Sequence, residues 1–218
     1  MGARLARARL ARARLRGAGR VPYTMSIAER MLIGRLKERD EQAFSEIVRL
    51  YGDKVFNLVY RMLGSRAEAD DIAQEVFITV FKTIDTFRGE AKFSTWLLRI
   101  AANQSKNRLK YLARRATDPD GLEDGGALDV AAAPHAMPLS GQVDGPDVLA
   151  EAAELDGLLQ AGIAQLDEEQ RLLVILRDVE EMSYEEIGEV TGLPEGTIKS
   201  RLHRARMALK EWLDKHTR

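Results

Sequence analysis

The chain is 218 residues long, 45% hydrophobic and 31% charged, with a formal net charge of −1. It has no cysteine, and its histidines at 135, 203 and 216 are scattered, which excludes a disulfide framework and a thiolate or histidine metal site. The length admits one or two domains, and no apolar run approaches a membrane span. Ala, Leu, Glu and Arg are abundant and β-branched runs are scarce, so the expected class is all-α.

Residues 1–24 are built from Ala-Arg-Leu units and carry seven arginines and no acid. Three readings compete: a basic tail on nucleic acid, a loose likeness to a targeting peptide, or a segment ahead of a true start at Met25. The third is preferred, because helical patterning begins directly after Met25. Without this segment 26 basic residues face 34 acidic ones, a net of −8. An acidic body with local basic patches suits a protein that docks on another protein as well as on nucleic acid.

From Ile27 to about Ala116 the pattern is helical. Asp40 is the expected cap of the second helix, which runs to Gly64. Ser65 and Glu68 form a capping box that opens a helix from about Arg66 to Ile84. Ile72, Val76, Val80 and Ile84 make its apolar stripe, flanked by Ala73, Phe77 and Phe81. Asp71, Gln74 and Glu75 share another face. Spacing alone favours a solvated surface there over a polar docking face.

Residues 87–92 read as a loop, and Ser94 as the cap of a helix from Thr95 to about Arg115. Between Arg99 and Arg115 lie six Lys/Arg and no acid, with Asn103, Gln104, Ser105 and Asn107 as hydrogen-bonding groups. Phe87, Phe93 and Trp96 stand just upstream. They read either as core or as a platform for unstacked bases of locally opened DNA.

Residues 117–149 hold four of the six prolines, seven acids and no Lys or Arg, the composition of a flexible acidic linker. Helices resume at Val148, and Asp167 opens another. The expected plan is therefore a leader (1–24), a helical domain (25–116), the linker (117–149) and a second helical domain (150–218).

Residues 183–210, SYEEIGEVTGLPEGTIKSRLHRARMALK, have the form of a helix-turn-helix. Ser183 and Glu186 make a capping box, with Met182 and Ile187 as its hydrophobic staple. Gly192 supplies the left-handed turn, and Pro194 suits the first turn of the next helix. Gly188 keeps the helix crossing close. In the second helix Ile198, Leu202, Ala205 and Leu209 form one buried stripe. Seven Lys/Arg stand against two acids from Thr197 to Arg218. A solvated bundle helix is the bland alternative, but cap, turn, proline and basic face together favour DNA binding.

ADDIAQEVFITVFK, FRGEAKFSTWLLRIAANQSKNRLK and LDEEQRLLVILRDVEEMSYEEIGEVTGLPEGTIKSRLHRARMALKEWL, in this order, resemble segments of the extracytoplasmic-function sigma factors of bacterial RNA polymerase. The likeness covers about residues 27–115 and 150–215. It implies a subunit that directs core polymerase to promoters and helps open them. Asp71, Gln74 and Glu75 would contact the polymerase clamp, which reverses the solvated reading of that face. Asn103 would lie near the pocket for a flipped minus-ten base, with Arg99, Lys106 and Asn107 along the DNA. Thr197, Lys199, Ser200, His203 and Arg204 would face the minus-thirty-five groove, and Arg201 a phosphate. The linker would thread toward the polymerase channels. Gly188 stands where the family commonly has Ala, a slight weakening of that helix.

The expected partners are the β and β′ subunits of core RNA polymerase, promoter DNA and an anti-sigma factor. The protein is expected to be cytoplasmic, monomeric when free and inserted in no membrane, with no cofactor, no metal and no enzymatic activity. The rivals are a stand-alone helix-turn-helix regulator with a sensing domain, and an adaptor without a DNA role.

Overall fold

The computed structural model describes residues 25–117 and 146–217, all of them helical apart from short connections. The leader and most of the linker lie outside the described residues. Four helices form the first domain: α1 (Ile27–Lys37), α2 (Glu41–Leu63), α3 (Arg66–Thr83) and α4 (Phe93–Thr117). A 3-10 turn, Ile84–Thr86, leads from α3 into the loop before α4. The second domain comprises α5 (Pro146–Ala164), α6 (Glu168–Val174) with a π-helical turn at Ile175–Val179, α7 (Tyr184–Thr191) and α8 (Glu195–His216).

The caps follow the sequence closely. Asp40 accepts from the backbone N–H groups of Gln42 and Ala43 at 2.8 and 3.1 Å. Gly64 closes α2 at φ 77°, a conformation that favours glycine. Asp167 accepts from Gln170 N at 2.8 Å and opens α6. Three expectations change. Ser65 accepts from Glu68 N at 3.4 Å, but the Glu68 carboxylate does not return to the cap. It is drawn to α4, where the Arg108 guanidinium donates to it at 2.7 Å and holds its carboxyl below the usual range. Helix α4 begins at Phe93, so Ser94 lies inside its first turn rather than at its cap. Helix α5 begins at Pro146, within the stretch assigned to the linker, because proline fits a first helical position.

In the first domain α2, α3 and α4 pack around Ile47, Leu58, Met62, Val76, Val80, Phe93 and Leu97, all buried. In the second, α5, α6 and α7 pack on α8 around Leu172, Ile175, Ile187, Ile198 and Leu202. Gly162 of α5 is required by this packing. A Cβ there would sit 2.7 Å from Leu209 Cδ1 and 2.9 Å from Trp212 Cε3.

The two domains also pack on each other, through α2 against α5, α6 and the π-helical turn, and α4 against α7. The C-terminal end of α2 is the hub. The Gly64 N–H closes on Tyr60 O at 2.7 Å, and the carbonyls after it lack helical partners. Gln160 Nε2 donates to Tyr60 O and Arg61 O at 3.4 and 3.3 Å, and Arg171 Nη1 donates to Met62 O at 2.6 Å. Arg61 pairs with Asp156 at 2.6 Å. Lys54 approaches Glu180 at 3.9 Å, and burial, only partly offset by Lys54, pushes the Glu180 carboxyl up. Lys92, at the foot of α4, pairs with Glu186 at 2.8 Å.

Candidate nucleic-acid interface

Three surfaces carry the expected site residues. On α3 the stripe Ile72, Val76 and Val80 is buried, which turns Asp71, Gln74 and Glu75 to the outside. Ile78, one turn further on, is 51% exposed and continues the same face. This face therefore carries one exposed apolar residue edged by two acids and an amide.

On α4, Arg99, Asn103 and Asn107 are exposed at four-residue spacing and so share one face, with Lys106 half-buried beside it. Three other polar groups of this helix serve the fold. Gln104 donates to Thr79 Oγ1 at 2.8 Å, the buried Ser105 hydroxyl donates to Ala101 O at 2.9 Å, and Arg108 is held by Glu68. The aromatic residues are core. Phe87, Phe93 and Trp96 are 4%, 0% and 9% exposed. Their ring centroids lie 5.4–5.7 Å apart. They are not an open platform, but they brace the loop 87–92 above them.

That loop encloses a cavity of about 300 Å³ whose lining includes Arg88, Glu90, Thr95, Trp96 and Arg99 from the first domain and Glu189 from α7. Thr95 is 2% exposed and its hydroxyl has no hydrogen-bond partner. A buried, unsatisfied hydroxyl is costly unless something fills the cavity and bonds to it. Sequence reasoning missed Thr95 and Glu189. Thr95 reads as an ordinary first-turn residue, and Glu189 becomes part of the cavity only through the packing of the two domains.

The helix-turn-helix is built as expected. Glu186 N donates to Ser183 Oγ at 3.2 Å and Ser183 N to the Glu186 carboxylate at 2.8 Å, both halves of the capping box. Burial works against the charged form of Glu186, but the Lys92 and Ser183 hydrogen bonds outweigh it and hold the carboxyl below its usual range. Gly192 turns at φ 73°. Pro194 stands at the N-cap of α8, one residue earlier than expected, where its carbonyl accepts from Thr197 N and Ile198 N. At Gly188 a Cβ would lie 3.3 Å from Leu193 O, so the crowding comes from the turn itself.

Ile198, Leu202 and Ala205 are buried, and Leu209 is partly so. Lys199, Ser200, His203 and Arg204 are exposed, with Thr197 half-buried. Lys199 pairs with Glu195 at 2.5 Å, and Ser200 Oγ donates to Thr197 O at 3.0 Å. Arg201 lies apart from this group, in an ion pair with Glu169 of α6. Arg206 is likewise taken by Asp178, with Nε 3.0 Å from the carboxylate.

Residues 47–115 match the family Sigma-70 region 2, and residues 156–209 match Sigma-70, region 4. The ECF RNA polymerase sigma factor SigW of Bacillus subtilis (strain 168) is 40% identical over 185 residues, covering 83% of this chain and 94% of that protein. The ECF RNA polymerase sigma-E factor of Escherichia coli (strain K12) is 34% identical over 190 residues, covering 84% and 93%. The fold is similar to that of CnrH in complex with the cytosolic domain of CnrY, with TM-score 0.59, 22% identity and 86% and 98% of the two chains covered. It is also similar to that of the sigma factor RpoE in complex with the anti-sigma factor NepR from Bartonella quintana, with TM-score 0.60, 23% identity and 78% and 96% covered.

Proposed function

The chain belongs to the extracytoplasmic-function sigma factors of bacterial RNA polymerase, and from that premise we propose which surface performs each part of promoter recognition. The exposed face of α3, Asp71, Gln74 and Glu75 with Ile78, docks on core polymerase. Arg99, Asn103, Lys106 and Asn107 on α4, with the cavity of loop 87–92, hold the opened minus-ten element. Thr197, Lys199, Ser200, His203 and Arg204 on α8 enter the major groove of the minus-thirty-five element. Arg201 reaches a phosphate after exchanging its Glu169 partner.

The observation that supports this reading is the presence in one chain of two separate helix faces that combine exposed cations with other polar groups, Arg99 and Asn103 on α4 and Lys199 and Arg204 on α8, on domains that sequence reasoning bounds at 25–116 and 150–218. Each face is small and binds weakly by itself. Held together on polymerase, the second contact becomes intramolecular, and both elements are read at once. Strand opening then draws on the binding energy of captured unstacked bases, with no bond chemistry. A cytoplasmic setting follows from that role. Among the described residues no helix is long and apolar enough to cross a membrane. The structurally similar RpoE binds an anti-sigma factor, and a partner of that class is proposed here too.

Promoter selection with core polymerase tests the assignment of α8. Replacing Lys199 and His203 by Ala is expected to relax base preference at upstream positions by roughly tenfold, the scale of about 1–3 kcal/mol for a base-edge contact. A uniform loss across all sequences would place both side chains on phosphates instead.

A further inference from the structure

We propose that the cleft between α1 and loop 87–92 seats the phosphodiester backbone of the single DNA strand whose base enters the neighbouring cavity. The inference rests on the promoter-opening role given above. The cleft has a volume of about 490 Å³ and is lined by Arg30, Lys37 and Arg88 together with Gly34, Phe87, Gly89 and two further apolar residues. Its three charged residues are all cations, and all three are exposed. Buried Ile33 and Phe87 form part of its wall.

The charge pairing singles these cations out. Arg35 and Arg39, nearby in sequence, are neutralised by Asp40 and Asp85 at 2.8 and 2.6 Å. Among the described residues Arg30, Lys37 and Arg88 have no carboxylate partner. Lys37 instead donates to Phe87 O at 2.9 Å, so it ties the cleft to the first residue of the loop. Guanidinium and ammonium groups without carboxylates around an open cleft are the usual means of holding a phosphate.

Gly34 points the same way. It stands inside α1, where glycine weakens a helix relative to alanine. Packing does not demand it, since a Cβ there would meet nothing within 4 Å. A bare backbone at that point leaves the cleft wall open to a ligand's close approach. The position relative to the other cavity supplies the ligand class. Phe87, Arg88 and Gly89 line both cavities, so the loop is a partition between them. A strand whose unstacked base enters the cavity passes over the rim that this loop forms, and its adjoining phosphates then fall on the cleft side. The second domain contributes Glu189 to the first cavity and nothing to the cleft, which therefore stays accessible while the domains are packed.

The test is binding of fluorescent dT12 to the full-length protein, free and on core polymerase, as a function of salt. Arg30→Gln with Arg88→Gln is expected to lower affinity at least tenfold. The slope of log K against log salt should become shallower by about 1.4, from roughly 0.7 per single-strand phosphate contact. Gly34→Glu, which puts a carboxylate into the cleft without removing a cation, should lose affinity to a similar degree. Arg39→Gln, which removes an already neutralised charge, should leave the slope unchanged, and circular dichroism checks that each variant folds. If Arg99→Ala weakens dT12 binding while the Arg30/Arg88 and Gly34 variants bind like wild type, the cleft proposal is overturned and the minus-ten reading stands. If wild type binds no dT12 even on polymerase, both fall. Loss of oligoglutamate binding in the variants with dT12 unaffected would assign the cleft to an acidic protein segment and overturn the proposal.

Discussion

Replacing Asp71, Gln74 and Glu75 by alanine is expected to weaken binding to core polymerase by about 30-fold or more while leaving the fold intact. These side chains are exposed on α3, and the buried stripe of that helix lies on its other side. Alanine is the best helix former, so the substitutions do not tax the helix. On this proposed docking face Ile78 is exposed, and the acids beside it would favour a basic partner. Hot-spot truncations cost about 2 kcal/mol or more, which is roughly the stated factor in Kd. Charge reversal, Asp71→Lys with Glu75→Lys, should go further and invert the salt dependence of association. Anisotropy of the labelled protein against core polymerase reads both effects. Unchanged affinity with an unchanged melting midpoint would remove the docking assignment.

Arg171→Met is expected to release the second domain from the first and to lower the melting midpoint by about 5–15 °C, from roughly 2–4 kcal/mol at the scaling for a protein of this size. The Arg171 guanidinium bonds carbonyls rather than a carboxylate. It donates to Met62 O at the end of α2, and to Ala164 O and Leu166 O at the end of α5, at 2.6, 2.6 and 3.2 Å. Burial pushes its pKa down from the ordinary value, an effect that the nearby Glu168 and Asp167 carboxylates offset only in part. Lysine should not rescue, because one ammonium cannot serve carbonyls of two helices in the geometry of a planar fork.

The domain interface bears directly on function. Elements about 25 base pairs apart are separated by about 85 Å of duplex at 3.4 Å per step. The longest helix of the second domain, α8 with 22 residues, spans only about 33 Å. Packed domains cannot reach both elements. The intervening residues 118–145, fully extended, reach about 95 Å, enough for the separation. The Met variant should therefore show a larger radius of gyration in solution scattering. An unchanged radius would mean that Gln160, Arg61 and Glu180 hold the interface without Arg171.

Much of this fold was legible in the sequence, because helices, caps and apolar stripes are local patterns. Asp40, Gly64, Asp167, Ser183 and Gly192 each terminate a helix as their chemistry predicts. The errors lie where a side chain had a choice. Glu68 was expected to return to its own cap, but Arg108, 40 residues away, offers it two charge-assisted hydrogen bonds. Phe87, Phe93 and Trp96 could serve a core or a surface, and only the tertiary packing decides that they are core. Arg201 reads in the sequence as a phosphate contact, and only the fold brings Glu169 of α6 beside it. Nothing local marks the interdomain role of Gln160 or Arg171, since the carbonyls they bond across the interface, those of Tyr60, Arg61 and Met62, are roughly 100 residues away. The candidate surfaces on α3, α4 and α8 were readable because each is a single helix face. The two cavities flanking loop 87–92 were not, because they combine residues from separate elements.

Run-off transcription from a randomised promoter pool, with core polymerase and the full-length protein, tests the central claim most directly. The account predicts transcripts only when both are present, from templates enriched in two sequence blocks at a fixed separation. Enrichment of a single block, bound as tightly by the protein alone as with polymerase, would contradict it and identify a stand-alone helix-turn-helix regulator.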